Sequence, residues 1–287
     1  MLMRFGGAAC IRRLVVSLIV GAVAPAAAIA QGASPNTGLL HISGGVDAPS
    51  LYVYRGVVQE GDPALTLTPW ANLTICTSDT GRVCVETGVW NSLNTGSSGT
   101  GGPLDALHYS EHFYARVPLQ MTKRLTVTPG YLANSSPNGG YETVQEFNVL
   151  VLSPGRFAPY ALMAFELMDS GQVDGGSKKG SYLEIGATPT FKVLSDRWEL
   201  SVPMKAGFSL QNYYELLGND LQYVDHRFGF ARFGGRLTVP LTRTATRIGR
   251  WSISGGADVI TLGDTTRASN QDDSVVVIGT IGISMRY

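Results

Sequence analysis

The sequence predicts an all-β, transmembrane antiparallel up-and-down β-barrel of about 12 strands. Apolar and polar residues alternate over stretches of about ten residues, the pattern of a barrel wall. No run after residue 30 reaches the roughly 18 apolar residues of a transmembrane helix. Short turns also alternate with long polar loops, as expected where the two rims of a barrel differ. The composition fits: 35 of the 287 residues are glycine and 15% are charged, against about 25% charged in ordinary domains. With 22 basic and 22 acidic residues, the chain lacks the positive excess of a nucleic-acid binder. It is also too apolar for intrinsic disorder.

Residues 1–30 read as a secretory signal peptide. Arg4, Arg12 and Arg13 form the positive segment, residues 14–23 the apolar core, and Ala28-Ile29-Ala30 the small-residue cleavage site before Gln31. The apolar core is too short to cross a bilayer, and no cysteine follows the cleavage site to carry a lipid. Residues 31–287 then form one barrel domain. Cys10 leaves with the signal. Cys76 and Cys84 flank an Asp79-Thr80-Gly81 turn and, in an exported chain, read as a disulfide across a hairpin. A metal site is not supported, because neither a second cysteine pair nor a nearby histidine supplies the other ligands.

The alternation marks strands at residues 39–55 (kinked at Pro49), 65–75, 82–89, 107–117, 125–131, 142–152, 157–167, 182–191, 198–210, 226–241, 251–262 and 274–287. The last carries the clearest signal. Val275, Val277, Ile281, Ile283, Met285 and Tyr287 share one face, and Ser274, Thr280, Gly282, Ser284 and Arg286 fill the other. An aromatic carboxy-terminal residue after such a strand resembles the targeting signature of bacterial outer-membrane proteins. It implies a bacterial outer-membrane location with both termini periplasmic, where Phe157, Phe191, Trp198, Trp251 and Tyr287 would form an aromatic girdle.

The opposite parity assigns residues to the lumen: Glu86, Glu146, Glu166, Glu184, Glu199 and Asp258 against Arg116, Lys205, Arg232, Arg236 and Arg286. Buried charges persist when paired or hydrated, so this set predicts a salt-bridged, watered interior. Cys76 and Cys84 share that parity. Three residues break the pattern, Glu111 on the lipid side and Phe228 and Phe230 on the lumen side, which calls for a bulge or a place outside the hydrocarbon band. Twelve strands lie between side-chain-filled eight-stranded barrels and open porins of 16–18 strands. The expected pore is narrow and partly obstructed, and its mixed charge predicts weak ion selectivity. The loop acids Glu60, Asp62, Asp169, Asp174, Asp220, Asp272 and Asp273 would make the outer mouth mildly acidic, offset by Lys178 and Lys179.

Ser50-Leu51-Tyr52-Val53-Tyr54-Arg55-Gly56-Val57-Val58-Gln59 resembles the Ser-Asp-Tyr-x-x-Arg-Gly-x-Ser stretch of the TorF family of outer-membrane porins, and Gly88-Val89-Trp90-Asn91-Ser92 is similar to that family's Gly-x-Trp-x-Ser strand. Leu51 and Val58 depart from the pattern. The resemblance implies a porin-like outer-membrane barrel without a defined substrate. Arg55, read at the outer end of the first strand, would pair with a lumen carboxylate, and Gly56 would permit the turn that follows.

Together these readings predict passive diffusion of small polar or ionic solutes, with long outer loops gating the path. No cofactor is called for. The partners are outer-membrane lipids, the barrel assembly machinery and the solutes, with no nucleic acid. Two alternatives stand beside this. One is an outer-membrane esterase or deacylase, because His108, Ser110 and His112 fall on one strand face. Residues i and i+2 lie about 6.6–6.8 Å apart along a strand, and catalysis needs a base within hydrogen-bond reach of the hydroxyl and a third group to orient it. The other is a non-conducting structural barrel. The glycine-rich stretch 96–102 lacks the Gly-Lys-Ser/Thr ending of a phosphate cradle and reads as a flexible loop.

Overall fold

The structure is a computed structural model that describes residues 38–61, 63–77, 83–102, 104–168, 178–194, 197–218, 222–242 and 249–287. The signal peptide and its cleavage point lie outside these residues, as do Asp62, Asp169, Asp174 and Asp220. In chain order the elements are β1 (Leu40–Pro49), β2 (Tyr52–Tyr54), β3 (Val57–Glu60), β4 (Thr66–Cys76), β5 (Cys84–Asn94), β6 (His108–Arg116), β7 (Leu119–Thr122), β8 (Leu125–Ser135), β9 (Val144–Leu152) and β10 (Tyr160–Glu166). There follow β11 (Ser181–Ala187), β12 (Thr190–Val193), β13 (Trp198–Ser201), β14 (Met204–Gln211), β15 (Glu215–Leu217), β16 (Tyr223–Asp225), β17 (Phe228–Pro240), β18 (Arg250–Leu262), α1 (Asp264–Ser269) and β19 (Val275–Arg286).

Three wall strands are each written as two pieces. β6–β7, β11–β12 and β13–β14 are interrupted at Pro118, Pro189 and Pro203, where a missing N–H removes a rung from the ladder. Counting each as one gives twelve antiparallel strands. Each pairs with its neighbour around the ring, and β19 closes the ring on β1 with Val46 opposite Ile283.

Residues facing away from the lumen are apolar and exposed, among them Ile42, Ile75, Val85, Phe113, Phe147, Met163, Ile185, Phe233, Ile253, Val277, Ile281 and Ile283. A continuous apolar belt around a closed ring has no place in water, whereas in lipid a ring without edges satisfies every backbone polar group. The chain is therefore an all-β, membrane-spanning barrel of the outer-membrane type. Phe157 and Tyr287, 63% and 42% exposed, stand at the rim where the chain enters and leaves the wall, here called the terminal rim. There Cys76 and Cys84 sit directly opposite each other on β4 and β5 and form a disulfide.

The opposite rim carries the long connections, and one of them changes the first strand from what periodicity predicts. The strand read over residues 39–55 ends at Pro49. The chain then turns into the barrel as the β2–β3 hairpin, with Val53 opposite Val58. Arg55 and Gly56 make its turn at φ +46° and +87°, and glycine adopts the second at no steric cost. Leu51, Val53 and Val58 pack on Tyr182, Tyr213, Tyr214, Phe230, Ile260 and Ile278. Tyr52 packs on Trp90 and Tyr109, with Tyr54 against that cluster. The apolar core thus lies inside the ring, in its loop half.

This core explains the parity exceptions. Phe230 faces the lumen and is fully buried against the hairpin. A bulge between Gly207 and Phe208 leaves Gly229 unpaired and turns Phe228 outward, 38% exposed. The connection between β18 and β19, read from sequence as a plain loop, contains the short helix α1. Asn270, which follows it, accepts from Val58 N and donates to Gly56 O, both at 2.7 Å. Its amide thus pairs with the hairpin edge much as a strand would.

Candidate functional site

The site is the lumen and the hairpin that enters it. Arg55 donates to Glu146 on β9 through Nη1 at 2.5 Å and Nη2 at 2.8 Å. Nη1 also donates to Tyr213 OH at 2.7 Å, and the guanidinium lies 4.2 Å from the centre of the Tyr182 ring. Burial works against the guanidinium's charge, but Glu146 beside it, with Tyr213 and Tyr54, outweighs that and holds its pKa above the ordinary value. Tyr214 OH donates to Arg55 O at 3.0 Å, so the tip is held by both its side chain and its backbone.

Glu60 corrects a second expectation. It is buried, not at the mouth, and accepts from Ser98 N at 2.9 Å and Ser98 Oγ at 2.8 Å. The glycine-rich stretch is the cradle for this carboxylate, and a Cβ on Gly96 would stand 2.4 Å from Glu60 Oε1. Of the other mouth acids, Asp272 and Asp273 are exposed.

Beyond the hairpin tip, toward the terminal rim, a cavity of about 260 Å³ is lined by Tyr54 and Arg55 at one end and by Glu199, Thr238 and Arg286 at the other. Its walls carry ion pairs. Arg116 donates to Glu86 at 2.8 Å. Lys205 donates to Glu184 at 2.9 Å, and Glu184 also accepts from Tyr160 at 2.8 Å and Tyr182 at 2.9 Å. Arg232 grips Asp258 through Nε at 3.0 Å and Nη2 at 2.9 Å. Arg236 donates to Asp47 at 2.6 Å. Near the rim, Glu199 accepts from Lys192 at 2.7 Å. Glu166 does not line the cavity: it accepts from Gly180 N at 2.6 Å beside the loop rim. Asp47 was not singled out in the sequence. Its signal was available, because Ile42 and Val46 face lipid and so set Asp47 on the lumen parity.

The proposed hydrolase residues do not come together. A register shift between Ser92 and Leu93 skips Tyr109 and draws that ring inward onto Tyr52. His108 consequently leaves the lumen face and contacts Asn91 at 2.9 Å. Glu111 stays on the outward face opposite Asn91. Ser110 is fully buried, with Oγ 2.6 Å from Tyr141 OH and 3.1 Å from Asn134 Oδ1. His112 Nε2 lies 3.4 Å from Tyr52 OH and makes no hydrogen bond to Ser110. Tyr52 OH lies 3.4 Å from both Ser110 Oγ and His112 Nε2, so the two meet only through this phenol.

No family model and no curated protein sequence matches this chain. Solved structures similar to it include the NanC porin, at 11% identity and TM-score 0.44, with 86% of this chain and 98% of that chain covered. The KdgM porin is similar at 7% identity and TM-score 0.44, covering 85% and 98%. OmpF of Salmonella typhi in complex with daunomycin is similar at 9% identity and TM-score 0.38, covering 86% and 97%.

Proposed function

We propose that the protein is a porin-like channel of the bacterial outer membrane, passing small polar or ionic solutes by diffusion, with the β2–β3 hairpin setting its aperture. The observation that carries this reading is the cavity beyond the Arg55 tip, bordered by ion pairs and reaching residues of the terminal rim. A hydrated, charge-lined interior suits solute passage and is a costly way to fill a static core. The apolar belt around the closed ring supports an outer-membrane setting. The hairpin is also the segment whose sequence resembles the TorF family.

One observation favours a second reading, a non-conducting barrel: the two aromatic clusters around the hairpin fill the loop half of the lumen. A hydrolase gains no support from a Ser110 that is sealed from the lumen and unbonded to His112. Single-channel recording in a planar bilayer separates channel from plug. Discrete steps support diffusion. Silence from a folded, inserted barrel overturns it in favour of the structural reading.

A further inference from the structure

The ion pairs around the cavity are not symmetric. Among the described residues six cations line it, Arg55, Arg116, Lys205, Arg232, Arg236 and Arg286, against three carboxylates, Asp47, Glu184 and Glu199. Glu86, Glu146 and Asp258, the partners of Arg116, Arg55 and Arg232, do not line the cavity. Glu146 and Asp258 are more deeply buried than Arg55 and Arg232, whereas Glu86 is slightly more exposed than Arg116. A solute therefore meets the positive end of the Arg55 and Arg232 pairs first, and at contact range the nearer charge dominates. Arg116 adds a donor: Nη2 holds Glu86 while its buried Nε has no hydrogen-bond partner among the described residues, a state that costs free energy unless an acceptor arrives.

Apolar residues line the cavity too. Trp70, Trp90, Leu132, Leu150 and Leu162 enter the cavity from β4, β5, β8, β9 and β10. Lys205, Arg232, Arg236 and Arg286 come from β14, β17 and β19, the strands that complete the ring across from them. The cations concentrate on one arc, where Phe230, Ile260 and Ile278 also line the cavity, and the facing arc carries the two tryptophans and three leucines beside Arg116, Asn72 and Asn148. At about 260 Å³ the cavity lies just under the roughly 300–1,000 Å³ typical of drug-sized ligand sites.

We infer that the lumen selects small organic anions, with the carboxylate or sulfonate on the cationic arc and the apolar body against the tryptophan and leucine arc. This rests on the channel reading and replaces the weak selectivity predicted from the balance of charge in the sequence. The test uses the folded full-length mature chain in a planar bilayer under a potassium chloride gradient. The reversal potential should show chloride favoured over potassium, benzoate should reduce the current, and benzylammonium should leave it unchanged. The paired variant Asp258→Asn/Arg232→Gln removes a cation and its backing carboxylate without changing net charge, and it should shift the reversal potential toward zero. Arg286→Gln should do the same, so the inference does not depend on one variant folding.

Channel steps with zero or potassium-favouring reversal potential overturn the anion inference and leave the channel reading standing. If the barrel is silent, equilibrium dialysis of benzoate and benzylammonium against detergent-folded protein decides. Retention of benzoate alone supports the anion site while overturning diffusion. Retention of neither, or of both equally, overturns both.

Discussion

Arg55, at the turn of the lumenal hairpin, grips Glu146 on β9, 91 residues away in sequence, through both of its terminal nitrogens. Both side chains are at least nine-tenths buried. Removing one member of such a pair leaves a buried charge without compensation, a loss of about 3–5 kcal/mol. Arg55→Ala should therefore unseat the hairpin, raising single-channel conductance and exposing residues 52–60 to protease. Adding Glu146→Gln to Arg55→Ala should recover part of the loss. A double-mutant cycle on protease susceptibility reads this directly, and strict additivity of the two changes would show that the pair does not hold the hairpin.

Gly56 tests the seating sterically. At φ +87° a side chain is strained, and a Cβ there would lie 3.0 Å from Phe230 and 3.1 Å from Thr266. Gly56→Ala should cost more than the roughly 1 kcal/mol associated with a misplaced alanine alone. Faster hydrogen exchange over residues 52–60, with the wall strands unchanged, is the expected signature.

Alkaline pH should loosen the same hairpin. Burial, the largest cause for each, pushes the phenols of Tyr52, Tyr54, Tyr213 and Tyr214 well above their usual value. The seated hairpin therefore binds these protons more tightly than the released one. Below the ordinary phenol value of about 10 both states are protonated and seating is unaffected. Above it, the released state gains by losing protons, and seating weakens as pH rises. Conductance should climb between about pH 10 and 11, a range set by that reference value, and an unchanged conductance would contradict this.

The disulfide acts elsewhere. Cys76 and Cys84 close a separation of only 8 residues at the terminal rim, remote from the hairpin. Loop-closure entropy for a ring this small limits its contribution to about 2–3 kcal/mol. Cys76→Ser/Cys84→Ser should lower the melting temperature of the folded barrel slightly without altering conductance. A changed conductance would mean that the rim is coupled to the plug.

Much of this molecule is legible from period-two alternation alone. The twelve wall strands, the side of the long loops and the facing of Cys76 with Cys84 all follow from it, because a closed ring in lipid forces one face apolar along its whole length. The hairpin is not legible that way. Leu51, Tyr52, Val53 and Tyr54 alternate as well as any wall strand. What ends the wall at Pro49 is the tertiary fit of these side chains to Phe230, Trp90 and the Tyr213–Tyr214 pair, residues far away in sequence. His108 was misplaced for a related reason. One bulged residue, Tyr109, reverses the parity of His108 before it, and its cause is an inward ring contact that the local pattern does not carry. Glu60 looked like a solvated loop acid because its partners, Ser98 N and Oγ, come from a separate loop.

The central claim is that the hairpin sets the aperture of a conducting barrel. Its most direct test compares single-channel conductance of residues 31–287 with that of a variant in which residues 51–61 are replaced by a short Gly-Ser linker, both verified as folded barrels in the same bilayer. The account predicts small steps from the parent and steps several-fold larger, with weaker ion preference, from the variant. Equal conductance in the two, or silence from both, would contradict it.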